Sequence, residues 1–322
     1  MYNNQPIFLQ PVFQERVWGG IKLHTEFDYH LPTESIGEAW VISAHPNGPS
    51  IIENGPLKGK TLMDAWMGHG ELFNRKEDNK EEYPLLVKLL DAADDLSVQV
   101  HPNDEFARDI EGVPYGKTEC WYVLSAEEGA EIVLGHRAPT KEKLAHMIDN
   151  GQWETLLRRV KVKAGDFIYV ASGTIHAIGK GILLLETQQS SDVTYRVYDY
   201  DRMDASGEKR ALHLEESKEV TTVPDSGASF SNEQHEENRN DGLIEKKLVE
   251  APYFTVYHWM LDGTVKRKMT HDFLQVSVVE GRGEITIEGE KFLFKKGSHF
   301  IIPFVIKDYT LKGVAEFIVS HV

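Results

Sequence analysis

The stretch GDFIYVASGTIHAI at residues 165–178 sets a pattern that recurs along the chain: an apolar β-prone run, a turn of small and polar residues, then a second short run that carries a histidine. Short runs of the same kind, broken by Gly, Pro and Asn, appear in EAWVISAHPNGPS (38–50), LSVQVHP (96–102), ECWYVLSAEEGAEIVLG (119–135) and GILLLETQQ (181–189). The rhythm predicts a mainly β chain folded as an antiparallel sandwich or barrel. Two helical segments interrupt it, at 60–73 and 140–159; the second opens on Thr140 and Glu142 ahead of an apolar pattern through Leu144, Met147 and Ile148. Both read as insertions between strands, and Arg158 and Arg159 read as the end of the second helix, complementing its C-terminal dipole.

The pattern has a fainter second copy. Aligning Gly297 with Gly165 lays GSHFIIPFVIKD (297–308) over GDFIYVASGTIH, and QVSVVEGRGEITI (275–287) over CWYVLSAEEGAEIVL (120–134). Leu274 then stands at the place of Glu119 and Asp308 at the place of His176, so the second copy is expected to bind no metal and to serve packing or substrate enclosure. Between the copies, DSGASFSNEQHEENRND (225–241) is polar and acidic and reads as a linker, with His235 a solvated residue in it. The expected division is therefore a first domain over 1–242 and a second over 243–322.

At 322 residues the chain exceeds the size at which one core stops growing, which agrees with two domains. Lys+Arg 35 against Asp+Glu 51 leaves a net charge of −16, which disfavours nucleic acid and anionic membranes as partners. The N-terminus MYNNQPIFLQPVF has neither a basic start nor a long apolar run, so no export signal or membrane span is expected. Cys120 is the only cysteine. Any metal must accordingly be held by nitrogen or oxygen, a cytoplasmic setting is expected, and Cys120 reads as a buried apolar thiol.

Gln99 and His101 are two apart on a strand and so share a face, while Val98 and Val100 take the other. Glu119 opens the next strong strand and His176 follows the turn ASGT. A small barrel would gather these four, and an amide oxygen, a carboxylate and two imidazoles suit a borderline cation such as Zn²⁺ with room left for substrate or water. With 14 histidines in the chain, chance placement on strand faces remains the competing explanation. His45, His136, His213 and His258 read as structural or surface residues.

The segments VWGG (17–20), GEAWVISAHPNGPS (37–50), PLLVKLLDA (84–92), SVQVHP (97–102), GKTECWYVL (116–124), SGTIHAI (172–178) and ETQQSSDVTYRVYDYDR (186–202) resemble, in order, the type I mannose-6-phosphate isomerases in their short bacterial form. The later part of the chain resembles that family's C-terminal cupin domain. The resemblance implies two cupin-type jelly-roll β-barrels with helical insertions in the first, and a zinc-dependent aldose–ketose isomerase acting on mannose 6-phosphate and fructose 6-phosphate. It implies one Zn²⁺ per chain on Gln99, His101, Glu119 and His176, an active-site arginine at Arg196, and pocket positions at Lys88, Lys117 and Glu186. Two residues depart from the pattern: Ala171 replaces a proline usual in cupin motifs, and Ile178 stands where longer family members carry tyrosine.

Isomerisation of this kind removes a carbon-bound proton and needs positive charge at the enediolate oxygens. Arg196, Glu186 and Lys117 are the expected catalytic residues, Glu186 being one of several groups able to carry the proton. Lys88, Lys117 and Arg196 are the expected phosphate and sugar contacts. A lysine flanked by leucines, as Lys88 is, favours function, because a buried unpaired ammonium is costly. The rival readings are an Fe²⁺ cupin dioxygenase on His101, Glu119 and His176, and a non-catalytic sugar-binding or regulatory cupin with a structural metal. The expected partner is a small sugar phosphate, and the expected assembly is a monomer.

Overall fold

The computed structural model describes residues 4–76, 81–203, 207–225, 228–231 and 237–322; His235 lies outside them. The described strands form three open antiparallel sheets. A five-stranded sheet runs in the order Tyr195–Tyr198, Val98–Val100, His176–Ile178, Glu131–His136, Leu157–Lys161. A seven-stranded sheet runs Ala228–Ser231, Phe167–Val170, Glu119–Ala126, Ile182–Gln189, Leu85–Ala92, Ile36–Ile42, Val12–Gly20. The nine-stranded sheet holds the C-terminal strands and takes in two from the start of the chain: Ile7 pairs with Ile301 and Leu9 with Ile52. This is the mainly β, jelly-roll architecture expected, with the sheets left open where closed barrels were anticipated.

Alternation along the strands explains the layering. In Ile182–Gln189, Ile182 and Leu184 join a core with Trp121, Val123, Ile132 and Ile178, between the seven- and five-stranded sheets. Leu183 and Leu185 join another core with Phe254, Val256 and Ile301, between the seven- and nine-stranded sheets. Cys120 falls in the second of these and is buried, on the side opposite Trp121. With period two, Lys88, Glu119 and Glu186 must project toward the five-stranded sheet.

The repeat is visible in the backbone. Gly165 and Gly297 both take φ of +84° in tight turns. Gly165 N donates to Val123 O and Gly297 N to Val278 O, at 2.8 and 2.9 Å. Each turn is closed by the next side chain: Lys163 N donates to Asp166 Oδ2 and Lys295 N to Ser298 Oγ. Val123 and Val278 are the partners that the alignment of Glu119 with Leu274 requires.

Helices fall in both expected segments. Leu62–Gly68 is opened by a reciprocal capping box between Thr61 and Asp64. Lys141–Asp149 is capped by Thr140, and with Leu214–Val220 it covers the outer face of the five-stranded sheet. The expected end of the second helix is corrected. Gly151, at φ +61°, breaks the helix; a short turn Trp153–Leu156 follows, and Leu157–Lys161 is a strand. Arg158 and Arg159 therefore complement no helix dipole: Arg158 Nε donates to Leu134 O and its guanidinium pairs with Asp225. In the acidic stretch 225–241, residues 228–231 pair with Phe167–Val170 and residues 237–240 with Leu243–Lys246.

Candidate functional site

Register brings the site together. Gln99 pairs with His176 on one side and with Arg196 on the other, so these three side chains share the inner face of the five-stranded sheet. On the facing sheet Trp40, Lys88, Glu186 and Trp121 lie opposite one another across four neighbouring strands. Glu119 begins the Trp121 strand, two residues away on the same face.

His101, Glu119 and His176 are fully buried, and one ligand atom from each lies within 4.8 Å of the others. Each imidazole has one nitrogen committed: His101 Nδ1 lies 2.9 Å from Val193 O, and His176 Nδ1 2.9 Å from Thr174 O. A carbonyl can only accept, so Nδ1 carries the hydrogen and Nε2 the lone pair in the neutral ring. Burial holds both rings below their ordinary pKa; for His101 burial first and the Lys117 charge next push it down to about 3. Yet His101 Nε2 faces Glu119 Oε2 at 3.4 Å and His176 Nε2 faces Glu119 Oε1 at 3.3 Å. His101 Nε2 makes no hydrogen bond, while Glu119 Oε2 also faces the Lys117 ammonium at 2.8 Å. Lone pairs aimed at a carboxylate in a dry pocket repel unless a cation lies between them, so the donor set fits a metal ion. The Gln99 amide lies 3.3 Å from His176 Nε2 and can turn its oxygen to the same point.

A row of alternating charge adjoins the triad. Lys117 Nζ lies 2.8 Å from Glu119 and 3.9 Å from Glu186, and Lys88 Nζ lies 3.5 Å from Glu186 and 3.7 Å from Glu38. Arg16 completes the row on Glu38 at 2.9 Å. Burial works against the charge of Glu119, but Lys117 and the two imidazoles hold its carboxyl well below the usual range. Burial would likewise raise Glu38, whose pKa Lys88 and Arg16 instead pull to about 2. Glu186 goes the other way: burial first, then the Glu119 charge, lift it above the ordinary carboxylate range. The Trp121 indole donates to both Glu119 Oε1 and Glu186 Oε1, at 3.0 and 3.1 Å, and fixes their spacing.

The row opens into a cleft of about 460 Å³. Of the residues expected from sequence, Gln99, Lys88, Lys117, Glu186 and Arg196 line it, while His101, Glu119 and His176 sit behind its wall. Lys88 is not unpaired; it lies between two carboxylates. Sequence reasoning passed over Glu38, Arg16, Trp40 and Arg210, which also line the cleft. Glu38 could have been found, since a lone carboxylate inside the apolar run IGEAWVI is the same signal that singled out Lys88. Of the histidines set aside, His213 accepts from the backbone N–H of Arg196, and His45 stands edge-on to Trp40. His136 bonds Thr222 O, and His258 pairs with Glu316.

Residues 7–131 match the model of the type I phosphomannose isomerase catalytic domain, and residues 244–322 that of the mannose-6-phosphate isomerase cupin domain. The chain is 51% identical over 318 residues to the mannose-6-phosphate isomerase ManA of Bacillus subtilis, covering 98% of this chain and 99% of that one. It is 50% identical over 317 residues to the mannose-6-phosphate isomerase of Streptococcus mutans, covering 98% of each. The crystal structure of the mannose 6-phosphate isomerase from Bacillus subtilis superposes with a TM-score of 0.94 at 48% identity, covering 98% of this chain and 99% of that one. With its cupin-type fold, the chain belongs to the type I mannose-6-phosphate isomerase family.

Proposed function

We propose that the chain interconverts mannose 6-phosphate and fructose 6-phosphate through an enediolate, with one Zn²⁺ held by His101, Glu119 and His176 and with Gln99 as a fourth donor. The observation that carries the metal is the convergence of two imidazole lone pairs on one buried carboxylate. Zinc bound there supplies a Lewis acid beside the open-chain oxygens. The chain's own residues do the rest. Glu186, its pKa raised and its Oε2 without a hydrogen bond, carries the proton between the two reacting carbons. Lys117 and Lys88, set between the carboxylates of the cleft floor, stabilise negative oxygen and orient hydroxyls. Arg196, the sheet neighbour of Gln99, adds a guanidinium to the developing enediolate.

Residues 1–242 form the catalytic unit in this reading and 243–322 an enclosing unit without metal, since Leu274 packs in an apolar core and Asp308 is exposed. No helix of the described residues is long and apolar enough to cross a membrane. With the single cysteine buried, this supports the reading of a cytoplasmic enzyme.

Metal analysis of protein purified without added metal should find one zinc per chain, and turnover of mannose 6-phosphate should be readable in a coupled assay. His101→Ala and His176→Ala should lose metal and turnover together. Full zinc occupancy in both variants would sink the ligand assignment, and iron with oxygen uptake would favour the dioxygenase.

A further inference from the structure

The cleft has two electrostatically different ends. Along the floor, Arg16, Lys88 and Lys117 are each within 4 Å of one of Glu38, Glu186 and Glu119, three cations against three anions. A phosphate dianion placed there would meet carboxylates as closely as ammonium groups.

The other end is built differently. Arg210 grips Asp199 with a two-pronged contact, Nε to Oδ2 at 2.7 Å and a terminal nitrogen to Oδ1 at 2.6 Å. Arg202 holds the same carboxylate at 2.6 Å and reaches Asp94 at 3.7 Å. Arg196 stands between the two ends: it is the strand neighbour of Gln99, and its pKa is lowered first by burial and next by the like charge of Arg210. One terminal nitrogen of Arg196 donates to Ala211 O, and its buried Nε has no hydrogen-bond partner. Two guanidiniums thus bind the buried Asp199 and a third, Arg196, stands near it without pairing, with Asp94 more distant, which leaves net positive charge among the described residues of this group. Arg196 and Arg210 present it to the cleft. Clustered like charges in a half-buried wall are unfavourable unless an anion joins them, and planar guanidinium forks match phosphate oxygens.

Resting on the isomerase reading above, we infer that Arg210, positioned by Asp199, is the phosphate anchor of the cleft and a determinant of selectivity for phosphorylated over free sugar. Its ligand is a phosphate monoester dianion at the far end of the open-chain sugar from the reacting carbons. Asp199 acts through Arg210 and is a positioning residue. Its two oxygens hold the guanidinium in one plane, leaving the outer edge of the fork for the ester.

The test uses glucitol 6-phosphate, which cannot isomerise, and glucitol, which lacks the phosphate. Calorimetry on the metal-loaded protein should show wild type preferring the ester. In Arg210→Ala the Kd of the ester should rise by about 10- to 100-fold, the value of a charge-assisted hydrogen bond, with that of glucitol unchanged. KM for mannose 6-phosphate should rise in parallel while kcat stays within a few-fold. Asp199→Asn should show a smaller rise of the same kind. If Arg210→Ala does not fold, Arg210→Gln keeps hydrogen bonding without the charge and should show the same loss. An unchanged ester Kd in a folded, metal-replete Arg210 variant overturns the anchor while wild-type turnover leaves the isomerase reading intact. Tight ester binding by a wild type that cannot turn over mannose 6-phosphate would overturn the isomerase reading and leave the anchor standing.

Discussion

Arg196 shows what a residue's neighbours decide. An arginine serving only stability would pair with Asp192, Asp199 or Asp201, but those carboxylates are engaged elsewhere. Asp192 accepts from Asn47, Asp199 holds Arg202 and Arg210, and Asp201 pairs with Lys209. Arg196 instead lines the cleft beside Gln99. Arg196→Ala should lower kcat by about 10²–10³, by analogy with a lost oxyanion donor, while metal content and Tm stay near wild type. Arg196→Lys keeps the charge without the fork and should also turn over poorly. Near-normal kcat in the alanine variant would make the residue structural. Lys88 was legible in the sequence as a charge inside an apolar run, and Arg196 and Glu186 through the motif ETQQSSDVTYRVYDYDR that carries the family resemblance. Their partners were not, because ion pairs such as Lys117 with Glu186 join residues more than sixty positions apart.

At the scale of elements, the turns before Phe167–Val170 and His299–Pro303 explain why the two glycines align. Each takes a left-handed φ that costs a residue with a Cβ about 1–2 kcal/mol. Gly165 has open space at its Cβ position, whereas a Cβ on Gly297 would lie 3.2 Å from the Tyr29 ring. Gly165→Ala should therefore destabilise by about 1–2 kcal/mol and Gly297→Ala by more, measured by urea unfolding; equal losses would mean that the ring yields freely. The helix misplaced over 157–161 has a related lesson. Leu157, Val160 and Val162 suit either period over so short a run, and pairing with the distant strand Glu131–His136 decides for β.

At the scale of the molecule, a buried chain of hydrogen bonds ties the N-terminal part to the C-terminal sheet. Tyr29 donates to Gly297 O and accepts from His299 Nε2, whose Nδ1 in turn accepts from Ser277 Oγ. Burial pushes His299 down to about 3, so between pH 6.5 and 3 the unfolded chain binds a proton that the folded one refuses. Stability is whole above the unfolded pKa and falls as pH drops; from pH 7 to 5 this histidine should remove about 2 kcal/mol. His299→Gln should flatten the pH dependence of urea unfolding by that amount, and an unaltered slope would show that His299 titrates normally. The sequence by itself determined the β class, the repeated turn and the family, and it pointed to His101, Glu119 and His176, which the fold brings together, because alternation and turn chemistry are local and the ordered motifs span the chain. Only the tertiary structure decided that Ile7–Gln10 would pair with the C-terminal sheet, that Glu38 and Arg16 would extend the charge row, and that Asp199 would gather arginines. Those outcomes depend on register between distant strands and on which charges burial forces to share a partner.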